Sequence, residues 1–505
     1  MNFLSGVMLN NDLLQQIKGN FPYEPTEEQE ITIKFFVDFL FSPKSESVLL
    51  LKGYAGTGKT TLISALVKTI RHIRSKCVLL APTGRAAKVF AQNASHPAYT
   101  IHKKIYRQKT FSNEMDNFQL APNLHRDTLF IVDEASMIAN EGLAGAAFGT
   151  GRLLDDLIQY VYSGEGCRLM LIGDTAQLPP VGEEESPALC PEMLAGYGLE
   201  VMECRLTHVV RQLETSGILY NATRLRKQIV GEDFFSLPVV KATGFADIRI
   251  ITGSELIEAI SDSYDHAGMD ETMIICRSNK RANLYNRGIR NTILYREDEL
   301  NSGDLLMVAK NNYYWGSENK ELDFIANGDV AVVRRMRRVR EMYGFRFADV
   351  VLTFPDYDDL ELEVKVLLDT LHSDTPALTR EQSEHLFNAV QEDYKDITVK
   401  RERMKKLKED PYYNALQVKY AYAVTCHKAQ GGQWKRVFID QGYMTEDMLT
   451  PDYLALYGFH PYYGNALSGE LAQRTVNREP GTVERKEVEA FQFYQELLSD
   501  YSGSS

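Results

Sequence analysis

The sequence predicts an α/β protein of two doubly wound lobes, with a small β-rich insertion inside the second. Three observations predict it. Short apolar runs (Val48–Leu51, Val78–Leu80, Leu129–Val132, Leu169–Ile172) alternate with helical patterns over about residues 46–190. Uninterrupted apolar strands of this kind belong to parallel sheets covered on both faces. A second set of runs, Met273–Cys276, Gln417–Val424 and Val437–Ile439, follows much later. Between the two sets, residues 303–366 read as alternating strands with turn signals at Asn311-Asn312 and Asn327-Gly328, as in a small barrel.

The helices follow from spacing. Thr60–Arg74 places Leu62, Ile63, Leu66, Val67, Ile70 and Ile73 on one helical face. Residues 379–410 are a charged helical stretch ending in KRERMKKLKEDP. At 505 residues the chain exceeds what one core supports, since chains beyond ~250–300 residues split into domains.

Composition narrows the class. No window approaches the ~20 apolar residues of a membrane span, and the N-terminus lacks a basic segment followed by an apolar one, so neither a membrane partner nor a signal peptide is expected. The six cysteines lie far apart with no C-x-x-C pair, which argues against a metal cluster and suits a reducing, cytoplasmic setting. The net charge of -13 weighs against coating a polyanion by bulk charge. It leaves room for a local basic channel.

The chemistry begins at Gly53-Tyr-Ala-Gly56-Thr57-Gly58-Lys59-Thr60, which fits G-x-x-x-x-G-K-[ST] between an apolar strand and an amphipathic helix. The glycines let backbone N–H groups wrap phosphates at a helix N-terminus. Lys59 is expected to reach the β- and γ-phosphates of ATP, and the Thr60 hydroxyl to ligate Mg²⁺. Thr61 extends the same phosphate-facing turn. Asp133-Glu134 ends the strand LFIVDEAS, where open parallel sheets bind ligands. Asp133 suits contact with Mg²⁺, and Glu134 suits polarising the attacking water. Asp174 and Gln177, in GDTAQLPPVG, suit sensing the γ-phosphate. The bland readings of these residues are a Gly-rich turn, a solvated strand end and a surface turn; their succession on one sheet favours ATP hydrolysis.

The order GYAGTGKTT, APTGRAAKVF, TIH, FIVDEAS, GDTAQLPPVG, LTHVVRQ and AYAVTCHKAQG resembles the superfamily 1 helicases of the RecD-like and Dda-like type over about residues 22–453. The resemblance implies two RecA-like P-loop lobes that close on ATP, single-stranded DNA and duplex junctions as partners, and 5′→3′ movement of a monomer. It implies that Gln29 reads adenine. Pro82, Thr83, Gly84 and His102 would touch the DNA backbone from the first lobe, and Thr425, His427 and Lys428 from the second. Arg211 would stabilise the γ-phosphate from across the cleft. The implied organisation is an N-terminal segment (1–45), a first lobe (46–195) with a small β-hairpin insertion that splits duplexes (103–126), a second lobe in two parts (196–295 and 416–453), an SH3-like and helical insertion (296–415), and an atypical C-terminus (454–505). In the hairpin, Tyr106, Phe111 and Phe118 either stack on bases or fill a satellite core. The basic runs RRMRRVR and KRERMKKLK either line the DNA path or form solvated faces.

Two further function classes compete. One is a nucleotide-dependent DNA-binding protein that turns over poorly; the other is an unrelated P-loop kinase, which has no use for AYAVTCHKAQG. RNA also remains open as the track. The C-terminus favours the first of these. The resemblance implies a closing motif near W-L-Y-T-A-x-T-R-A, whose arginine contacts the γ-phosphate. Here the chain reads LALYGFHPYYGNALSGE from Leu454 to Glu470, with no such arginine. Shifting the back-translated frame by one base allows WLYTAFTRITETLYLVN. A frameshift near Leu454 is therefore expected, with a C-terminus not selected to complete the second sheet.

Overall fold

In a computed structural model, the chain divides into two compact units, Met1–Leu213 and Glu214–Ser505. The described residues are 3–44, 46–54, 56–108, 118–141, 149–180, 182–208, 216–230, 239–316, 324–440 and 471–474.

In the first unit, helices α1 (Phe3–Asn20) and α2 (Glu27–Phe41) precede the strand β1 (Ser47–Gly53) and helix α3 (Lys59–His72). Then come β2 (Lys76–Ala81), α4 (Gly84–Ala94), β3 (Ala98–Thr100), α5 (Ile101–Ile105), the short strands β4 (Tyr106–Gln108) and β5 (Phe118–Leu120), β6 (Thr128–Val132), α6 (Leu153–Tyr162), β7 (Arg168–Gly173) and β8 (Glu200–Leu206). Six of the strands form a parallel sheet in the order β3-β2-β6-β7-β1-β8. Alternate residues enter different cores, as strand geometry requires. Val48, Leu50, Phe130, Val132, Leu169 and Leu171 pack with Leu154, Leu157 and Val161 of α6. Leu49, Leu51, Leu129, Ile131, Met170 and Ile172 pack with Ile33 and Phe36 of α2 and Leu62 and Leu66 of α3. Coverage on both faces is why the strands carry no polar alternation.

The expected boundary at residue 195 gives way, because β8 pairs with β1 along its whole length. Residues 1–45 also differ from expectation: Leu13, Ile17, Ile33, Val37 and Phe39 are core residues of this unit. The β4–β5 pair joins Tyr106 to Leu120 and Gln108 to Phe118, while residues 109–117, Phe111 among them, lie outside the described residues. Tyr106 is buried and its hydroxyl donates to Asp156 at 2.6 Å. Phe118 packs half-buried on the same core. For Tyr106 and Phe118, the structure supports the satellite core.

In the second unit, β9 (Ile248–Ile251) and β10 (Thr272–Cys276) lead into a closed barrel of β11 (Leu305–Val308), β12 (Val330–Met342), β13 (Phe345–Phe354), β14 (Leu360–Leu367) and β15 (Leu416–Tyr420). The chain then returns to the sheet through β16 (Ala423–Thr425), β17 (Arg436–Ile439) and β18 (Leu471–Arg474). That sheet runs β16-β10-β17-β18-β9, all parallel. The apolar run Gln417–Val424 is thus two strands of different sheets. Buried Asp304 ties the barrel to the lobe, accepting from Arg290, Arg296 and the Tyr422 hydroxyl. Removing one partner of such a buried pair costs about 3–5 kcal/mol.

One expectation fails at β18. Leu471–Arg474 occupies the slot between β17 and β9, pairing Leu471 with Val437 and Ile248. Strand ladders use main-chain N–H and C=O groups that every sequence supplies, so this segment completes the sheet whatever its side chains. Residues 441–470, where the arginine motif is expected, lie outside the described residues. Among the described residues no helix is long and apolar enough to cross a membrane.

The basic runs are exposed and partly neutralised. On β12, Arg334 and Arg337 pair with Glu361 and Glu363, and Arg340 donates to the Tyr412 hydroxyl. In the helix Lys400–Lys408, Lys405 and Lys406 face Glu409.

Buried Asp329, in the turn that starts β12, yields a test. Its Oδ2 accepts from the Ala326 N–H and the Tyr357 hydroxyl, while Oδ1 has no partner. Burial pushes its carboxyl up to about 7. A carboxyl raised in the folded state contributes stability while protonated and loses it as pH rises toward that value. Asp329→Asn should therefore raise the melting temperature more at pH 8 than at pH 5; an equal shift at both would show that the carboxyl is not raised.

Candidate functional site

The P-loop follows directly from β1. Gly53 ends the strand, and a Cβ there would sit 2.8 Å from Lys59 Cγ, so no larger residue fits without displacing the lysine. Gly56 and Gly58 adopt φ of 77° and 83°, the left-handed region that glycine enters without cost. Helix α3 opens at Lys59 with no side-chain cap, which leaves its first N–H groups to serve a ligand. Thr60 and Thr61 are half-buried on its first turn.

Lys59 is 5% exposed. Its Nζ donates to the carbonyls of Gly53 and Tyr54 and lies 3.9 Å from Asp174 Oδ2. Across the sheet edge, Asp133 Oδ1 accepts from the Glu134 N–H at 2.9 Å. Glu134 adopts a left-handed φ of 54°. That turns its side chain toward Gln177, whose amide donates to Glu134 Oε2 at 3.0 Å while its oxygen accepts from Ser136 Oγ. Burial, then the neighbouring Asp133 charge, pushes the Glu134 carboxyl up to about 8; burial raises Asp133 as well. Asp174 Oδ1 accepts from the Ala176 N–H.

Lys59, Thr60 and Asp133 line one cavity with Ser64 and Asn93. A hydroxyl and a carboxylate there are hard oxygen donors, the type that Mg²⁺ takes beside nucleotide phosphates. The donor set therefore fits MgATP. Thr60 and Asp133 would hold the cation, which would supply charge neutralisation at the phosphates, and Lys59 would exchange carbonyl oxygens for phosphate oxygens.

Gln29 is buried against the P-loop, its Nε2 donating to the Thr57 carbonyl at 2.9 Å and its Oε1 accepting from the Thr26 N–H. Both ends of the amide thus face protein. Glu28 beside it, which the motifs did not single out, accepts from Thr207 and His208. Its partners lie 179 and 180 residues away, so no local pattern could have shown it.

The residues expected to touch DNA fall into two groups. In the first unit, Pro82, Thr83 and Gly84 are half-buried at the start of α4, where Thr83 caps the helix by accepting from the Ala86 N–H. His102, on α5, lies against Tyr106, and burial holds its imidazole down at about 4. In the second unit, Thr425 directly precedes the turn Cys426–Ala429, on which His427 is exposed. Lys428 donates to Asn327 of the barrel, and burial pushes its ammonium down to about 8. Arg211 lies outside the described residues.

A family model described as an AAA domain matches residues 40–234, and one described as the UvrD-like helicase C-terminal domain matches residues 420–457. The uncharacterised protein R530 of Acanthamoeba polyphaga mimivirus is 23% identical over 82% of this chain and 92% of its own length. The ATP-dependent RecD2 DNA helicase of Deinococcus radiodurans is 26% identical over 62% of this chain and 40% of its own length. The ATP-dependent DNA helicase dda of Enterobacteria phage T4 is 24% identical over 52% and 56%, respectively. The chain thus spans well under two thirds of the two named helicases.

The geometry separates binding from turnover. Lys59→Ala should abolish tight ATP binding. Glu134→Gln should keep the Gln177 contact and ATP binding but lower turnover by about a hundredfold or more, the scale of a lost general base. Equilibrium binding of a fluorescent ATP analogue and steady-state phosphate release check both; normal hydrolysis by Glu134→Gln would remove its assigned role.

Proposed function

We propose that the chain, whose ordered motifs resemble those of the superfamily 1 helicases and which matches an AAA domain over residues 40–234 and a UvrD-like helicase C-terminal domain over residues 420–457, is an ATP-dependent DNA helicase that couples ATP hydrolysis to 5′→3′ movement along single-stranded DNA and opens duplex junctions ahead of it. One observation carries the reading. Lys59, Thr60, Asp133, Glu134 and Gln177 come from separate segments and meet at one edge of the first sheet. Glu134 is held by a glutamine in the next loop, so an event at the phosphates has a direct connection to the water-polarising carboxylate. At the matching edge of the second sheet, Thr425, His427 and Lys428 supply the DNA contacts expected there. We assign Mg²⁺ to Thr60 and Asp133, the transition-state arginine to Arg211, and a cytoplasmic, monomeric state to the protein.

A specific observation favours a second reading, in which ATP and DNA bind but turnover is impaired. The UvrD-like match ends at residue 457, close to Leu454, where the sequence leaves the expected arginine motif and the alternative frame restores it. In this reading a frameshift has replaced the second arginine of the cleft.

Duplexes carrying a single-stranded tail of either polarity test the first reading. A 5′ tail should support unwinding and a 3′ tail should not; unwinding from the 3′ tail alone would reverse the assigned direction. Single-strand affinity should fall with salt by about 0.7 log units per log unit for each phosphate contact, and a flat response would exclude a backbone track. Restoring T-A-F-T-R by a one-base change near codon 454 should raise DNA-stimulated hydrolysis by about a thousandfold or more, the scale of an arginine at a phosphoryl transition state. If the coding DNA permits no such reading, the frameshift is wrong.

A further inference from the structure

The P-loop is braced from outside by the first turn of α2. Two adjacent side chains reach in different directions. Gln29 donates to the Thr57 carbonyl inside the loop at 2.9 Å. The Glu28 carboxylate accepts from the backbone N–H groups of Thr207 at 2.6 Å and His208 at 2.9 Å, and from the Thr207 hydroxyl. Thr207 directly follows β8, whose last residue, Leu206, pairs with Gly53 and accepts from the Tyr54 N–H at 3.2 Å. One helical turn thus grips both the middle of the phosphate loop and the point where the chain leaves the sheet beside it.

We propose that Glu28 is a positioning residue for ATP hydrolysis: it fixes the exit of β8 at the phosphate edge and, through Gln29 on the same turn, holds that exit in register with the P-loop. The proposal rests on the reading of the site as an ATPase. Thr207 and His208 are exposed, and their backbone N–H groups donate to Glu28. Burial alone would raise the Glu28 carboxyl; the hydrogen bonds from His208 and Thr207 outweigh it and hold the group below its ordinary value. A carboxylate that accepts several N–H bonds is ionised and strongly held. The turn itself is preorganised, since Thr26 and Gln29 form a reciprocal capping box.

The test compares Glu28→Ala and Glu28→Gln in the full chain. Loss of the acceptor should lower kcat for DNA-stimulated hydrolysis about tenfold, with KM and ADP affinity within about twofold, the pattern of an interaction that acts in the transition state. Glutamine keeps an acceptor oxygen and should recover most of the rate. Amide exchange at Thr207 and His208 should quicken about tenfold in the alanine variant. A joint collapse of kcat, KM and ADP affinity would make Glu28 merely structural, and an unchanged kcat would remove the positioning role. A glutamine variant no better than alanine would overturn its basis in hydrogen-bond acceptance. If the unsubstituted chain hydrolyses no ATP, the ATPase reading fails by itself. Glu28 is then judged by binding: a non-hydrolysable ATP analogue should slow exchange at Thr207 and His208 in the parent and not in the alanine variant, and equal effects in both would overturn the proposal.

Discussion

The structure of the first unit depends on how one buried ammonium group is satisfied. Lys59 is almost fully enclosed, and its Nζ rests on the carbonyls of Gly53 and Tyr54 with Asp174 nearby. An enclosed cation without such partners would cost several kcal/mol. The loop must therefore curl around it, which requires left-handed glycines at 56 and 58 and no side chain at 53. The carboxylates Asp133, Glu134 and Asp174 gather at the same edge, and their crowding with burial is what lifts the Glu134 carboxyl toward neutrality. Bound MgATP, held by Lys59, Thr60 and Asp133, would rebalance this charge. The loop is thus shaped for a ligand that completes its electrostatics.

Everything else in that unit serves the placing of strand ends. Coverage by α2 and α3 on one face and α6 on the other fixes β1, β6 and β7 in parallel register, and parallel register puts their polar termini on one side. The second unit repeats the plan with a barrel inserted between β10 and β16. Asp304, with two arginines and a tyrosine hydroxyl around it, sets how the barrel leaves the lobe. The Lys428–Asn327 contact then brings a barrel turn against the segment assigned to DNA.

Much of this was legible in the sequence because its cause is local. The Lys59 loop, the Asp133-Glu134 strand end and the Gln177 turn each lie within a few residues of the feature that positions them. Long-range causes were not legible. Gln417–Val424 reads as one strand because an apolar run carries no mark of a change of sheet between Tyr420 and Ala423. Residues 200–206 gave no sign of returning to the first sheet, since pairing with β1 is a tertiary fact. Tyr106 reads from the sequence equally as a base-stacking or a satellite-core aromatic, and the approach of Asp156, fifty residues on, makes it a core residue. The closing strand at Leu471–Arg474 shows the converse: main-chain pairing completes a sheet without a sequence signature.

The central claim is that the first-lobe edge is an ATPase whose turnover responds to a nucleic-acid track. Phosphate release at saturating ATP, measured without nucleic acid, with single-stranded DNA and with single-stranded RNA, addresses it most directly. Stimulation of about tenfold or more by DNA, and abolished by Lys59→Ala, is the expected result for a motor that closes on ATP only when its track is bound. An ATPase rate indifferent to DNA, or one that survives Lys59→Ala, would contradict the account.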